Sequence, residues 1–428
     1  MRAARDRVTS IDSGVHEQHV PEAGDISLIA PATDVSNPEL SIVVPALDEE
    51  ITIGRLVDWC KEGIAAAGIE AEILIVDSSS DRTAEIAIAH GARVLKTSKR
   101  GLGRAYIDAI SYIRGRYVLM GDADCTYDFR DIRRFVEKFR AGYEFIMGSR
   151  FAGSIEEGAM PALHRYFGTP LTTFLLNFVF GTKFEDIHCG MRGLTRDGLQ
   201  RIGLTSQGWE YASEMIVKAH QIKLKTTQVP VRFLKDQKGR LSHLKRSGWI
   251  TPWRAGWHTL KIILMYGSAR IIQPISLALS IPSILLLLIL ANGPVPIFGV
   301  RLSLYTMLLA MTCLILGVTL SGISILSICI NDRIGYHIAY WNGKFGFTRS
   351  MTICLSLFVL GFLLCSLFLI QYVLSGFIVT DDLVRLGHLS IVGLTMIIVS
   401  VLAAGFAIIL QALVDRLRIS ESVQRSRL

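Results

Sequence analysis

Two textures of apolar and polar positions divide the chain. Past residue 270 come four stretches without a single Asp, Glu, Lys or Arg, at 271–291, 302–330, 350–379 and 386–414. Each exceeds the ~20 residues that carry a helix across a ~30 Å hydrocarbon core. Four in succession predict four transmembrane helices rather than buried helices of a soluble protein. Between residues 41 and 147 the pattern is different. Short apolar runs at 41–45, 72–77, 93–95, 117–120 and 143–147 read as strands. Helical patterns lie between them, over about 50–67, 81–90, 102–114 and 129–141. Strands alternating with helices predict an α/β domain, a mostly parallel sheet with helices on both faces.

The junction between the two halves has its own pattern. Trp249, Trp253 and Trp257 recur every four residues, Leu260 and Leu264 continue the stripe, and Arg246, Arg254 and Lys261 flank it. Trp and basic residues together favour the headgroup layer. The expectation is an interfacial amphipathic segment over 246–270, with Pro252 starting or breaking a helix and so dividing it into two short pieces. Residues 1–38 are polar and mixed and read as a flexible leader. The division is then leader 1–38, catalytic-type domain 39–245, interfacial segment 246–270, membrane region 271–415 and basic tail 416–428.

Composition supports this division. Hydrophobic residues make up 50% and charged residues 19%, against roughly 25% charged in soluble domains. That excludes a disordered chain, a fibrous repeat and an ordinary soluble enzyme. Lys and Arg number 45 against 37 Asp and Glu, a net charge of +8. In a membrane protein this excess belongs to loops and anionic lipid, so no nucleic-acid partner is expected. Arg333, Lys344 and Arg349 lie between the second and third runs, and Arg416, Arg418, Arg425 and Arg427 follow the fourth. The opposite loops carry Arg301 and Arg385. Positive-inside counting puts both termini and the large domain in the cytoplasm, anchored in the cytoplasmic membrane. The seven cysteines form no CxxC pair, so neither a disulfide framework nor a zinc site is expected.

Candidate chemistry gathers at strand ends, where open α/β sheets bind ligands. The first strand leads into Asp48-Glu49-Glu50, the second ends at Asp77, the fourth at Gly121-Asp122-Ala123-Asp124 and the fifth at Gly148-Ser149-Arg150. Two carboxylates one residue apart, straight after an apolar strand, can place oxygens near one divalent ion. Mg²⁺ or Mn²⁺ held there would bridge a diphosphate. Gly101 and Gly103 read either as a turn before a helix or as a donor contact. Glu210 and Glu214 share a helix face, and His188 beside Cys189 lacks further ligands for a metal site.

These residues resemble a known family. Val44-Pro45-Ala46-Leu47-Asp48-Glu49-Glu50, Val76-Asp77-Ser78-Ser79-Ser80-Asp81-Arg82-Thr83, Arg100-Gly101-Leu102-Gly103-Arg104-Ala105 and Asp122-Ala123-Asp124 are similar to family 2 glycosyltransferases of the GT-A fold. Asp186-Ile187-His188-Cys189-Gly190-Met191-Arg192 and Gly208-Trp209-Glu210 resemble the polyprenyl-phosphate hexose synthases, the group that contains dolichol-phosphate mannose synthase. The resemblance covers about 40–245. It implies a nucleotide-sugar pocket lined by Pro45, Glu49, Asp77, Asp122, Ala123 and Asp124. It implies a metal at Asp122 and Asp124, phosphate binding by Arg150 and Arg192, and Asp186 near the reacting centre. Asp48 stands where the family often has Asn. Thr126, a neutral and shorter ligand, stands where it often has Gln. The usual late basic stretch is replaced by one in which Arg240, His243 and Lys245 are candidates for the acceptor phosphate.

The expected activity is inverting transfer of a hexose, glucose or mannose, from UDP-glucose or GDP-mannose to a polyprenyl phosphate. A homo-oligomer is compatible with this. A processive polysaccharide synthase is the rival enzyme, but its usual Gln-x-x-Arg-Trp motif does not occur. A lipid-carrier flippase or scaffold is the non-enzyme rival; the apolar runs hold almost no ionisable residues, which transporters generally need near the midplane.

Overall fold

The computed structural model describes residues 26–237, 239, 251–297, 300–332, 336–378 and 380–425. Arg240, His243 and Lys245 lie outside them, as do Arg246 and Trp249. Among the described residues eight strands form one sheet: β1 (Ser27–Ile29), β2 (Leu40–Ala46), β3 (Ala71–Asp77), β4 (Arg93–Lys96), β5 (Tyr117–Met120), β6 (Phe145–Ile155), β7 (Arg192–Thr195) and β8 (Thr226–Phe233). Their order is β1-β4-β3-β2-β5-β7-β6-β8. Helices α1 (Ile53–Ala67), α2 (Thr83–Ala89), α3 (Leu102–Ala109), α4 (Arg133–Arg140), α5 (Thr169–Phe180), α6 (Arg196–Ile202) and α7 (Tyr211–Gln221) accompany it.

The central strands are unbroken apolar runs because neither face meets water. Ile42, Val43, Val44, Leu74, Ile75 and Val76 are fully buried. α1 turns Ile53, Leu56, Val57 and Cys60 inward at helical spacing and stops at Gly68, whose φ of 58° ends the helix in the left-handed region. β2 pairs in parallel with both β3 and β5, so their carboxyl ends share one edge of the sheet. The chain runs from β2 to β3 on one side and crosses to β5 on the other, which makes the β2/β5 gap the switch point where such sheets bind ligands.

The far half of the sheet is mixed. β7 is antiparallel to both β5 and β6, whereas β6 and β8 are parallel. Within the stretch read as leader, β1 pairs antiparallel with β4.

The helical region holds α8 (Thr251–Leu290), a hairpin of β9 (Val295–Ile297) and β10 (Val300–Leu302), α9 (Leu304–Ile330), α10 (Tyr336–Lys344), α11 (Phe347–Leu374) and α12 (Asp381–Arg425). Among the described residues four spans are long and apolar enough to cross a membrane: Thr259–Leu290, Leu304–Ile330, Phe347–Leu374 and Leu383–Arg416. The chain is an integral membrane protein by this measure. Small residues let these helices approach closely. A Cβ on Gly361 would lie 2.5 Å from the Gly393 carbonyl, and one on Gly393 2.7 Å from that of Gly361.

Of the junction, residues 246–250 lie outside the described residues, and from Thr251 onward the chain is a single helix of 40 residues, α8. Pro252 falls in its first turn, where a missing N–H costs nothing. The early part of α8 belongs to the packing of the sheet domain. Ile262 and Ile263 are buried in the same core as the strands. Arg270 Nη1 donates to the Phe178 carbonyl at 3.2 Å, and a Cβ on Gly267 would lie 2.2 Å from Val179 Cγ1. The helix that carries the first candidate span thus packs against α5.

Candidate active site

A cavity of about 490 Å³ sits at the carboxyl ends of β2, β3 and β5. One wall comes from the loops after β2 and β3, which are laced together. The Asp48 N–H donates to Ser79 Oγ at 2.7 Å, and the Ser80 N–H donates to Asp48 Oδ1 at 2.9 Å. The Glu49 N–H donates to Thr83 Oγ1 at 2.8 Å. Asp48 has a φ of 50°. Asn and Asp tolerate that left-handed conformation best among residues with a side chain, so the exchange of Asn for Asp here keeps the turn. Pro45 and Glu49 line the cavity.

Asp77 is fully buried and gripped from the neighbouring strand β4: Lys96 Nζ lies 2.6 Å from Oδ2. Its neighbours Val76 and Ser78 face the cavity.

β5 delivers Asp122, Ala123 and Asp124 to the cavity lining. Thr126 holds Asp124 in place. Its backbone N–H and its hydroxyl donate to Asp124 Oδ1 at 3.0 and 2.6 Å. The residue that is too short to replace a Gln ligand therefore orients the carboxylate instead. Asp122 lies against Gly190, where a Cβ would come within 2.2 Å of Oδ2. Among the described residues no group of three or more His, Cys, Asp or Glu is poised to hold a metal. Two hard carboxylates at a strand end suit Mg²⁺ or Mn²⁺, which take one or two carboxylates and complete their shell with phosphate and water oxygens. The donor set fits such an ion.

β6 supplies Arg150, which lines the cavity and pairs with Asp186 in a bidentate bridge of 2.6 and 2.8 Å. Burial alone would raise the Asp186 carboxyl, but the Arg150 hydrogen bonds and charge outweigh it and hold it below the usual range. Burial works against the Arg150 charge in the same way, yet the hydrogen-bonded Asp186 carboxylate keeps it firmly protonated. Arg150 also stacks over the Phe233 ring at 5.1 Å. Lys99 and Arg100 add positive charge to the lining.

Arg192 takes a different place. It is almost wholly buried, and its guanidinium donates to the carbonyls of Cys189, Ala212 and Ile187 at 2.9, 2.6 and 2.9 Å. It braces the 186–192 loop against α7. Glu214 is likewise committed to Lys218 and to Thr205, whose hydroxyl donates at 2.5 Å. Gly101 and Gly103 answer to space: Cβ atoms there would fall 2.4 Å from the Gln207 carbonyl and 2.2 Å from that of Ser206.

Three features escaped sequence reasoning. Tyr127 and Phe233 line the cavity. His188 lines it too, and its Nε2 lies 2.8 Å from Thr172 Oγ1 on α5. Burial pushes its imidazole down to about 4; the Asp186 carboxylate works against this, and Arg150 and Arg192 reinforce it. Finally, α5 and the turn before it expose Leu163, Tyr166, Phe167, Leu171, Phe174 and Phe178, the last two 62% and 64% accessible. Their spacing of three and four residues was the available signal.

Comparison with known proteins fits this geometry. Residues 41–203 match the model of glycosyl transferase family 2. The chain is 33% identical over 295 residues to a low-salt glycan biosynthesis hexosyltransferase of Haloferax volcanii, covering 69% of each chain. It is 28% identical over 204 residues to a dolichyl-phosphate hexose transferase of the same organism, covering 47% of this chain and 85% of that one. A glucosyl-3-phosphoglycerate synthase from Mycobacterium tuberculosis, solved with Mn²⁺ and UDP-glucose, aligns over 53% of this chain and 78% of its own at 19% identity, with a TM-score of 0.40. The family match opens in β2 and closes just after α6, and so contains the strand ends that carry Glu49, Asp122, Asp124 and Arg150. The chain belongs to glycosyltransferase family 2, is related to dolichyl-phosphate hexose transferases, and is a hexosyltransferase.

Proposed function

We propose that the protein transfers a hexose from a nucleotide-sugar, UDP-glucose or GDP-mannose, to a polyprenyl phosphate, with inversion at the anomeric carbon. One observation carries the lipid acceptor: the cavity wall is bonded, through His188 and Thr172, to a helix whose far face is exposed Phe and Leu and which packs on the first membrane helix. A water-soluble acceptor gives no reason for such a face. A lipid phosphate does, because its headgroup must reach the cavity while its tail stays in hydrocarbon. With basic loops inside, the catalytic domain and both termini face the cytoplasm.

The chemistry asks for positioning and charge rather than a strong base. A phosphate monoester is already ionised near neutral pH, so no proton need be removed from the nucleophile. Arg150, fixed by Asp186, and Lys99 and Arg100 offer cations to phosphate oxygens. The laced loops around Asp48 and Glu49 preorganise the nucleotide wall. A divalent cation held by Asp122 and Asp124 would supply Lewis-acid charge at the diphosphate. Single displacement turns an α-linked donor into a β-linked product.

The test is transfer by the purified full-length protein in detergent, with Mg²⁺ or Mn²⁺, polyprenyl phosphate and a panel of labelled nucleotide-sugars. Labelled β-linked lipid from one donor, lost on chelation, is the expected result. No lipid product from any donor, or an α-linked one, would overturn the acceptor or the single displacement respectively. The Gly190→Ala variant should keep its fold and lose on the order of 10²-fold in transfer rate, because its methyl group displaces the Asp122 carboxylate. An unchanged rate would mean that Asp122 does not need that position.

A further inference from the structure

We propose that His188 reads the transferred sugar: its Nδ1 accepts a hydrogen bond from a hydroxyl of the hexose. This deepens the proposed transfer and rests on it for the identity of the ligand.

The available protons decide which nitrogen of His188 accepts. Thr172 Oγ1 lies 2.8 Å from the Gly168 carbonyl and 3.1 Å from that of Thr169. A hydroxyl has one proton, and carbonyls can only accept, so Thr172 gives its proton back to its own helix. Its oxygen then accepts from His188 Nε2 at 2.8 Å. A neutral imidazole carries one N–H, so Nδ1 is left as an acceptor. The ring stays neutral among the guanidinium groups of Arg150 and Arg192. The main chain beneath the ring is held as well, since the His188 N–H donates to Asp186 Oδ1 at 3.2 Å.

The cavity's other polar groups then decide what Nδ1 can meet. The diphosphate oxygens of a nucleotide-sugar at neutral pH accept hydrogen bonds and have no proton to offer. Arg150, Lys99 and Arg100 are there to receive them. Asp122, Asp124 and Glu49 are acceptors too. The groups of a nucleotide-sugar that donate are hydroxyls and base N–H groups. The nucleotide wall is built by the loops after β2 and β3, whereas His188 sits on the 186–192 loop beside Arg150 and α5. A neutral acceptor placed on that side, in a cavity of charged groups, suits a sugar hydroxyl.

The test is a cycle between residue and ligand. Binding of the parent nucleotide-sugar and of its singly deoxygenated hexose analogues would be measured by calorimetry on the full-length protein, without acceptor, for wild type, His188→Ala, His188→Gln and Thr172→Val. Wild type should bind one deoxyhexose analogue about tenfold more weakly than the parent. His188→Ala should bind the parent about tenfold more weakly and show no further loss with that analogue. His188→Gln, which keeps an acceptor, should recover part of the discrimination, and Thr172→Val should weaken it. Discrimination that survives in His188→Ala against every deoxyhexose would overturn the proposal and leave His188 a packing residue. Coupling to a deoxyribose analogue instead would overturn it in favour of a nucleoside contact. Because no acceptor is present, failure of lipid transfer would show in the labelling assay and leave this measurement intact.

Discussion

Asp124→Ala is expected to lower hexose transfer on the order of 10³-fold with only a small drop in the melting transition of the detergent-solubilised protein. The size follows from what the proposed mechanism would lose: the charge that a divalent ion would bring to a departing diphosphate is worth several kcal/mol, and each 1.4 kcal/mol is tenfold. The side chain is partly accessible at a strand end, not part of the buried core, so its loss leaves no cavity behind. Thr126 sharpens the test. Because it donates twice to Asp124 Oδ1, Thr126→Val removes one of the two bonds and should cost far less, about tenfold. Mn²⁺ binding, followed by electron paramagnetic resonance without any turnover, should weaken in the same order. Equal loss in both variants, or full activity of Asp124→Ala in the presence of chelator, would show that the carboxylate does not act through a metal.

The parts of this site legible in sequence are those that local pattern determines. β2, β3 and β5 are continuous apolar runs that end in acids, and a parallel sheet brings such ends together whatever lies between. The membrane helices are legible for a similar reason, since hydrocarbon demands uncharged length and nothing else. What local pattern does not determine stayed hidden. β7 is four residues, Arg-Gly-Leu-Thr, with no apolar alternation; it is a strand because β5 and β6 pair with it from both sides. Arg192 reads as a phosphate ligand by its place in a motif, yet three backbone carbonyls from two separate segments claim it. β1 pairs across about 70 residues of sequence. α5 was legible and passed over: its aromatic stripe has helical spacing, but it lies in a stretch without acidic punctuation.

Asp186→Ala carries the largest expected cost in stability, roughly 3–5 kcal/mol, because it leaves the Arg150 cation buried without its partner. Both side chains are at least nine-tenths buried, so water cannot replace the carboxylate. Such a value reports the orphaned charge rather than the worth of the pair, and a second variant separates the two. Asp186→Leu combined with Arg150→Met removes both charges and fills the volume, and should recover most of the lost stability. Transfer should not recover, because the double variant lacks the cation proposed to meet phosphate oxygens. The pH dependence has a definite sign. The folded Asp186 carboxyl titrates below its usual range, so the contribution of the pair is complete above the unfolded value of about 3.9 and is lost as pH falls through the lower folded one. Wild-type stability from this pair is therefore flat between about pH 5 and 8. Thermal melts across that window, with the single and double variants in parallel, measure all three expectations. A single variant as stable as wild type would mean that Arg150 finds another partner. A double variant that regains transfer would remove Arg150 from the phosphate site.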